Sequence, residues 1–130
     1  EIVAILAKNN PDAAAGRAAL DITRKLKKKS DAKYGGLRAG IGIHTGEVIL
    51  GMIGSEERAD FTVIGDSVNT ASRLCDVAKP LQVIITEATY RKIRETARVD
   101  GPYKLKARGK QRYLKVYLLR GMKEPGEEYV

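Results

Sequence analysis

The sequence has few of the residues on which covalent, redox or metal chemistry usually depends. Its 130 residues include one cysteine, one histidine, one phenylalanine and no tryptophan. A single cysteine excludes an intrachain disulfide, so we expect a cytoplasmic protein or the cytosolic domain of a membrane-anchored one. A lone histidine is a poor sign of a zinc site, and we interpret His44 as structural. No apolar run approaches the roughly 20 residues that a transmembrane helix needs.

Positive charge is what the sequence has in excess. It carries 24 lysine and arginine residues against 16 acidic ones, a net charge of +8 at neutral pH. This excess favours a polyanionic partner, which could be a nucleotide, a nucleic acid or an anionic membrane surface. The lysines near residue 28 have no aromatic residues among them, although stacking aromatics are typical of single-stranded nucleic-acid binding. We therefore expect no nucleic-acid partner.

One stretch organises the rest of the chain: FTVIGDSVNTASRL, at positions 61–74. It predicts a short strand, a turn at 65–66 and a helix with a face of small apolar residues. Asn69 and Arg73 are four residues apart, so they share the opposite side of that helix. Two interpretations stay open at this point. Either the pair is a solvated surface in which Arg73 bonds Asp76, or it forms part of a functional site.

The remaining segments alternate between strands and helices, which predicts an α+β protein, an α/β sandwich with helices over one sheet. The predicted elements are a strand at 1–7, a helix at 11–29, a hairpin at 37–53, a strand at 81–86, a helix at 87–96 and a hairpin at 103–119. In the first hairpin Gly40 and Gly42 lie on one side of a strand. Such glycines indicate that a helix or another backbone approaches closely.

The runs VIGDSVNTASRL at 63–74 and GIHTGEV at 42–48 resemble the carboxy-terminal half of a class III nucleotidyl cyclase catalytic domain. The similarity covers about 37–74 without a gap and extends more weakly to Leu119. It implies a ferredoxin-like core that is truncated at its amino terminus. Residues 1–120 would be a partial catalytic domain and 121–130 a tail. No GGDEF-like run is present, which disfavours a diguanylate cyclase.

The resemblance also assigns roles to particular residues. It places the family's transition-state pair on Asn69 and Arg73. The base-selecting position falls on Thr62, where threonine goes with adenine, and the lysine that binds the triphosphate falls on Lys106. The family's two divalent ions, Mg²⁺ or Mn²⁺, are held by two aspartates, which we expect upstream of Glu1. One departure is Ala107, where the family usually has glycine.

The resemblance thus implies an adenylate cyclase that converts ATP to 3′,5′-cyclic AMP and pyrophosphate at the interface of a homodimer. One subunit would bring the metal ligands, and the other would bring the amide, guanidinium and lysine. We accordingly expect the isolated chain to be inactive. The competing interpretation is a non-catalytic, cyclase-like module that binds a nucleotide or regulates a partner. A sensor or membrane module upstream also stays open.

Overall fold

The structure is a computed structural model that describes residues 2–7, 10–29, 39–47, 49–53, 60–64, 66–106 and 112–123. For residues 29, 49–53 and 60–64 it describes the backbone alone. Several predicted features lie outside these residues. They are the glycine break at 35–36, the polar connection at 55–59, the turn at 109–111 and the tail after residue 123.

The described residues form a mixed fold of helices and strands, which confirms the expected α+β class. In chain order the elements are α1 (Pro11–Lys29), β1 (Ile41–Ile43), β2 (Ile49–Ile53), β3 (Asp60–Ile64), α2 (Asp66–Val77), β4 (Val83–Thr86), α3 (Glu87–Ile93), β5 (Ala97–Lys106) and β6 (Tyr113–Met122). None of these three helices has both the length and the apolar character that a bilayer span requires.

Four strands form the main sheet, in the order β1-β4-β6-β5, and β2 and β3 form a separate antiparallel pair. The predicted hairpin at 37–53 is therefore wrong over the described residues. Strand β1 runs parallel to β4, with Ile41 opposite Val83, and β2 pairs with β3. The alternation of apolar residues identifies a strand but does not identify its partner, because partner choice depends on contacts distant in sequence.

The predicted hairpin at 103–119 is confirmed: β5 and β6 are antiparallel, with Leu105 opposite Leu114. Strand β4 is buried on both faces, as its apolar run predicts. Val83 and Ile85 pack on one face with α1 and α3, whereas Ile84 packs on the other face with Leu74 of α2. The helices therefore cover both faces of the sheet rather than one.

The apolar segment at 2–7 is not a strand in this structure. Its side chains are exposed, with Ile2 at 96% and Val3 at 54% of their maximal accessible area. A strand is stabilised by backbone bonds to a neighbour and by burial of one face. Neither is present for 2–7 among the described residues, so the strand prediction for this segment is wrong.

Helix α2 lies in direct backbone contact with β1. A Cβ built on Gly42 would be 2.5 Å from the Leu74 Cβ and 2.8 Å from both the Ala71 carbonyl oxygen and the Cys75 nitrogen. A Cβ on Gly40 would be 2.7 Å from the Ala78 Cβ. The close approach predicted from these two glycines is confirmed, and it fixes the distance between α2 and the sheet.

The contact predicts that Gly42→Ala destabilises the protein. The atoms that an added methyl group would meet belong to the backbone and Cβ of α2, so the whole helix must shift. We expect the free energy of unfolding in urea to fall by about 1–3 kcal/mol. Gly121→Ala is a matched control, because its Cβ would meet only the guanidinium of Arg98, at 3.3 Å. Equal losses for the two variants would contradict the prediction.

Candidate functional site

The topology brings the start of α2 and the end of β5 to one end of the sheet. Strand β4 is parallel to β1 and antiparallel to β6, and β6 is antiparallel to β5. Strands β1, β4 and β5 therefore all run in the same direction, and their carboxyl ends lie together. Lys106 is the last residue of β5, and Gly46, just beyond β1, faces Ser67 in the first turn of α2.

Asn69 and Arg73 differ in their exposure. Asn69 is exposed, whereas Arg73 is partly buried and its Nε is shielded from solvent without a hydrogen-bond partner. Within the part of the chain that the structure describes, Arg73 makes no ion pair with Asp76. Leaving a buried donor unpaired costs about 1–3 kcal/mol. The ion pair with Asp76 considered from the sequence is therefore absent, and the Nε donor of Arg73 is left without an acceptor.

An unpartnered arginine Nε is not unique to α2. Arg17 of α1 has a shielded Nε of the same kind, but α1 packs with the cluster on the other face of the sheet. Of these two arginines, Arg73 is the one that combines this feature with an exposed amide one turn earlier on the same helix.

Thr62 and Lys106 are positioned by the two strands to which they belong. Thr62 lies opposite Gly51 in the β2–β3 pair, four residues before α2 begins, and its side chain is outside what the structure describes. Lys106 is exposed and lies opposite Tyr113. Leu105 packs on the α2 face, so by alternation Lys106 leaves the strand from the other face. The structure therefore brings Lys106 to the same end of the sheet as the start of α2 but to the opposite face, whereas Arg73 lies further along α2, beside the residues that contact Gly42.

Two further lysines lie beside Lys106. Lys104 is directly opposite Lys115, and both alternate with apolar neighbours so that they share a face with Lys106. The Nζ of Lys115 is 3.8 Å from a carboxylate oxygen of Glu87, which compensates part of this charge. This end of the hairpin has a positive field that favours phosphate groups.

The described residues do not offer a metal centre. No group of three or more histidine, cysteine, aspartate or glutamate side chains that could hold a metal ion occurs in the ranges given above. Divalent ions that bind nucleotides prefer several oxygen ligands, chiefly carboxylates. The residues described thus do not fit such an ion, and no reaction step is assigned to one here.

His44 follows β1 directly and is half-buried at the same end of the sheet. Its Nδ1 is 2.8 Å from the hydroxyl oxygen of Thr86, at the junction of β4 and α3. Burial disfavours the charged imidazolium and lowers the pKa of His44, an effect that the carboxylate of Asp66 opposes. The sequence interpretation of His44 as structural agrees with this bond. Thr86 directly precedes α3, but its hydroxyl does not cap the helix amides.

Comparison with known proteins identifies a family. A sequence model described as the adenylate and guanylate cyclase catalytic domain matches residues 3–121. The guanylyl cyclase Cya2 has a similar crystal structure, with a TM-score of 0.83 and 26% sequence identity; the match covers 95% of this chain and 65% of that one. The adenylyl cyclase CyaB from P. aeruginosa has a TM-score of 0.61 at 23% identity, over 85% of this chain and 56% of that one. The latter identity supports the fold alone.

Relatives found by sequence are much longer than this chain. An uncharacterised protein of Mycobacterium bovis is 38% identical over 76 residues, which are 57% of this chain and 13% of that protein. The chain thus spans about an eighth of the length of such relatives. The solved structures include both guanylyl and adenylyl cyclases, so they leave the choice of base open.

The lowered pKa of His44 predicts a pH dependence of stability. The unfolded histidine has a pKa near 6.5, so above that pH the histidine is protonated in neither the folded nor the unfolded state. His44 then makes its full contribution to the free energy of unfolding. As the pH falls below 6.5, the unfolded chain takes up the proton first, and the free energy of unfolding decreases until the pH passes the pKa of the folded protein. The slope is at most about 1.4 kcal/mol per pH unit.

The measurement is urea unfolding at several values between about pH 5 and pH 7.5, compared with the variant His44→Asn. Because His44 is the only histidine and carboxylates titrate near pH 4, this window isolates its effect. An equal slope in the variant would contradict the assignment.

Proposed function

Because the chain belongs to the adenylate and guanylate cyclase catalytic domain family, we propose that it forms part of an adenylate cyclase. The reaction would convert ATP to 3′,5′-cyclic AMP and pyrophosphate. The family membership supports a nucleotidyl cyclase, and the choice of adenine is the further step of this proposal. The single observation that carries the assignment of the site is the unpartnered, shielded Nε of Arg73 beside an exposed Asn69.

The chemistry determines what the protein must supply. The ribose 3′ oxygen attacks the α-phosphorus, the hydroxyl proton is lost, and the bond from the α-phosphorus to the bridging oxygen breaks to release pyrophosphate. Negative charge is spread over the phosphoryl oxygens and the leaving group in the transition state. Cations and fixed hydrogen-bond donors directed at those oxygens therefore contribute most to the rate.

Arg73 suits the α-phosphate for three reasons. Its guanidinium remains protonated at all relevant pH values, and its planar fork can donate two hydrogen bonds to one phosphoryl group. Its Nε is shielded and has no acceptor in the described structure, so a turn of the side chain that brings this donor to a phosphate oxygen would remove an existing cost. The backbone contact of α2 with Gly40 and Gly42 holds the helix in place, so the movement is confined to the arginine side chain.

Asn69 and Lys106 would serve the two ends of the substrate. Asn69 lies one helical turn before Arg73 and is exposed, so its amide can orient the ribose through donor and acceptor groups. Lys106 lies at the carboxyl end of β5 and would bind the terminal phosphates as a point charge. Because the Lys106 side chain leaves β5 from the sheet face opposite α2, it would reach the phosphates by passing around the end of the strand.

We further propose that the site is completed by a second subunit of the whole protein that carries this sequence. Asn69 is exposed on α2, which leaves the amide directed at solvent in a single subunit. The family's pattern places metal ligands on the opposing subunit. A homodimer of the whole protein, with two symmetric sites, would bring those ligands to the exposed amide. Mg²⁺ or Mn²⁺ would then be held by carboxylates beyond the described residues.

The site assignment predicts the effect of substitutions in the whole protein that carries this sequence. Arg73→Ala should lower kcat by roughly 100-fold or more, because a fixed donor to the transition state is lost. Arg73→Lys should not restore the rate, since an ammonium group cannot donate from a planar fork. Asp76→Asn, an exposed change one turn later on α2, is the control and should leave the rate unchanged.

Formation of cyclic nucleotide is measured by chromatography, and the fold of each variant is checked by urea unfolding. Full activity of Arg73→Ala would overturn the assignment. Binding of ATP without cyclisation by the unaltered protein would instead indicate the non-catalytic, nucleotide-binding module.

The assignment of Thr62 predicts selectivity for adenine. A threonine hydroxyl both donates and accepts, so it can pair with the edge of adenine. We expect kcat/KM for ATP to exceed that for GTP by at least about tenfold, and Thr62→Val to reduce the ratio, because one or two hydrogen bonds are worth about 1–3 kcal/mol. A preference for GTP in the unaltered protein would contradict adenine selectivity without affecting the roles of Asn69 and Arg73.

A further inference from the structure

A connected group of polar side chains lies at the carboxyl ends of β1 and β4. His44 bonds Thr86, and the hydroxyl oxygens of Thr86 and Thr89 are 3.5 Å apart. Thr89 in turn lies 3.0 Å from the hydroxyl of Thr45, which donates a hydrogen bond to Asp12 of α1. These five residues, the polar cluster, connect α1, the loop after β1, the end of β4 and α3.

Two members of the polar cluster are buried at positions where apolar side chains could also pack. Thr89 is fully buried, and Thr86 is 3% exposed, beside the otherwise apolar core of the sheet. Burying hydroxyl groups costs free energy unless each finds a partner, and a fully bonded set specifies one geometry. Thr45 donates to Asp12, so Thr89 must donate to Thr45 and Thr86 to Thr89. The chain of bonds therefore closes with the proton of neutral His44 on Nδ1, which donates to Thr86. The bonded cluster therefore fixes the positions of its five residues more than it raises the free energy of unfolding.

The polar cluster reaches α2 through the loop after β1. A Cβ on Gly46 would overlap the Ser67 Oγ and would lie 3.2 Å from the His44 Nε2. The histidine ring and the first turn of α2 thus lie around the same point of the loop backbone, with no room for a side chain between them. The loop backbone at Gly46 is therefore the point at which the His44 ring and the start of α2 are neighbours.

We propose that His44 is a positioning residue for the nucleotide site. Thr86 holds the ring at Nδ1, the ring sets the loop 44–46 against Ser67, and the loop sets the start of the helix that carries Asn69 and Arg73. This inference rests on the proposed function, because it concerns the placement of the residues assigned there. Each of the three loop residues has its own contact, since His44 bonds the β4–α3 junction, Thr45 bonds α1 and Gly46 admits α2.

The rate of cyclisation should be sensitive to the way in which the loop 44–46 holds the start of α2. Displacing a catalytic group by about 1 Å can lower a rate by roughly 100-fold. Binding of the substrate depends on many contacts, so KM should respond much less than kcat. The backbone contact at Gly42 holds the middle of α2, but it lies two turns from Ser67 and leaves the first turn to the loop.

The test compares variants at the two ends of one hydrogen bond. His44→Ala removes the ring, and Thr86→Val removes only the hydroxyl while conserving the shape of the side chain. Tyr117→Phe is the matched control, since it deletes another buried hydroxyl bond, 3.0 Å to Glu87, in the cluster on the sheet face opposite α2. If His44→Ala fails to fold, Thr86→Val still decides the question.

Two measurements are made on each variant of the whole protein. In His44→Ala and Thr86→Val, kcat for cyclic AMP formation should fall by about 10- to 100-fold, with KM changed less than about threefold. Hydrogen exchange at the amides of residues 70–74, which donate the first intrahelical bonds of α2, should accelerate more than about tenfold. Tyr117→Phe should change each quantity less than about twofold. His44→Asn, which keeps a polar atom near the Nδ1 position, should recover part of the rate.

The outcomes separate this inference from the proposed function. If His44→Ala and Thr86→Val match Tyr117→Phe in both kcat and hydrogen exchange, His44 does not position α2. Cyclisation by the unaltered protein would in that case still support the proposed function. If exchange accelerates but the unaltered protein makes no cyclic nucleotide, the proposed function is overturned and the hold of His44 on α2 remains.

Discussion

The backbone of α2 rests directly on β1, and the rest of the candidate site depends on that contact. Gly40 and Gly42 leave no Cβ between strand and helix, so the helix lies closer to the sheet than ordinary side chains would permit. Close packing of rigid backbone leaves few alternative positions. Asn69 and Arg73 inherit this rigidity because they lie on the same helix, and a site on a rigid element needs less reorganisation on binding.

The shared direction of three strands is the second constraint on the candidate site. Strands β1, β4 and β5 run in the same direction, so the loop after β1, the start of α3 and the last residue of β5 meet at one end of the sheet. The side chains of Lys104, Lys106 and Lys115 also belong to this end of the hairpin, where their charge favours an anionic ligand.

The polar cluster and the glycine contact divide the support of α2 between them. The glycines hold the middle of the helix through steric exclusion. In the proposed arrangement, His44 holds the start of the helix through the loop, because the ring bonds Thr86 and lies beside Gly46, which approaches Ser67 closely. Support at two separate points leaves the helix few alternative positions.

Much of this protein could be predicted from local patterns. The helix after Ile64, the buried strand at 83–86, the hairpin of β5 and β6 and the close approach at Gly40 and Gly42 all follow from periodicity, turn residues and missing side chains. The family was evident from two short runs of sequence. These features are local because they depend on residues within one or two turns of each other.

Tertiary structure decided which strands pair and from which face of the sheet each side chain leaves. The sequence placed β1 and β2 in one hairpin, yet β1 pairs with β4 across about forty residues, and the segment at 2–7 has no strand partner among the described residues. The polar cluster was not foreseen, because each of its bonds, except the one between Thr86 and Thr89, joins residues 33 to 44 positions apart, and single threonines carry no local signal. The face from which Lys106 departs was likewise set by the register of β5 against β6. Pairing and register are decided by contacts between distant segments, and the chemistry of a single stretch does not contain them.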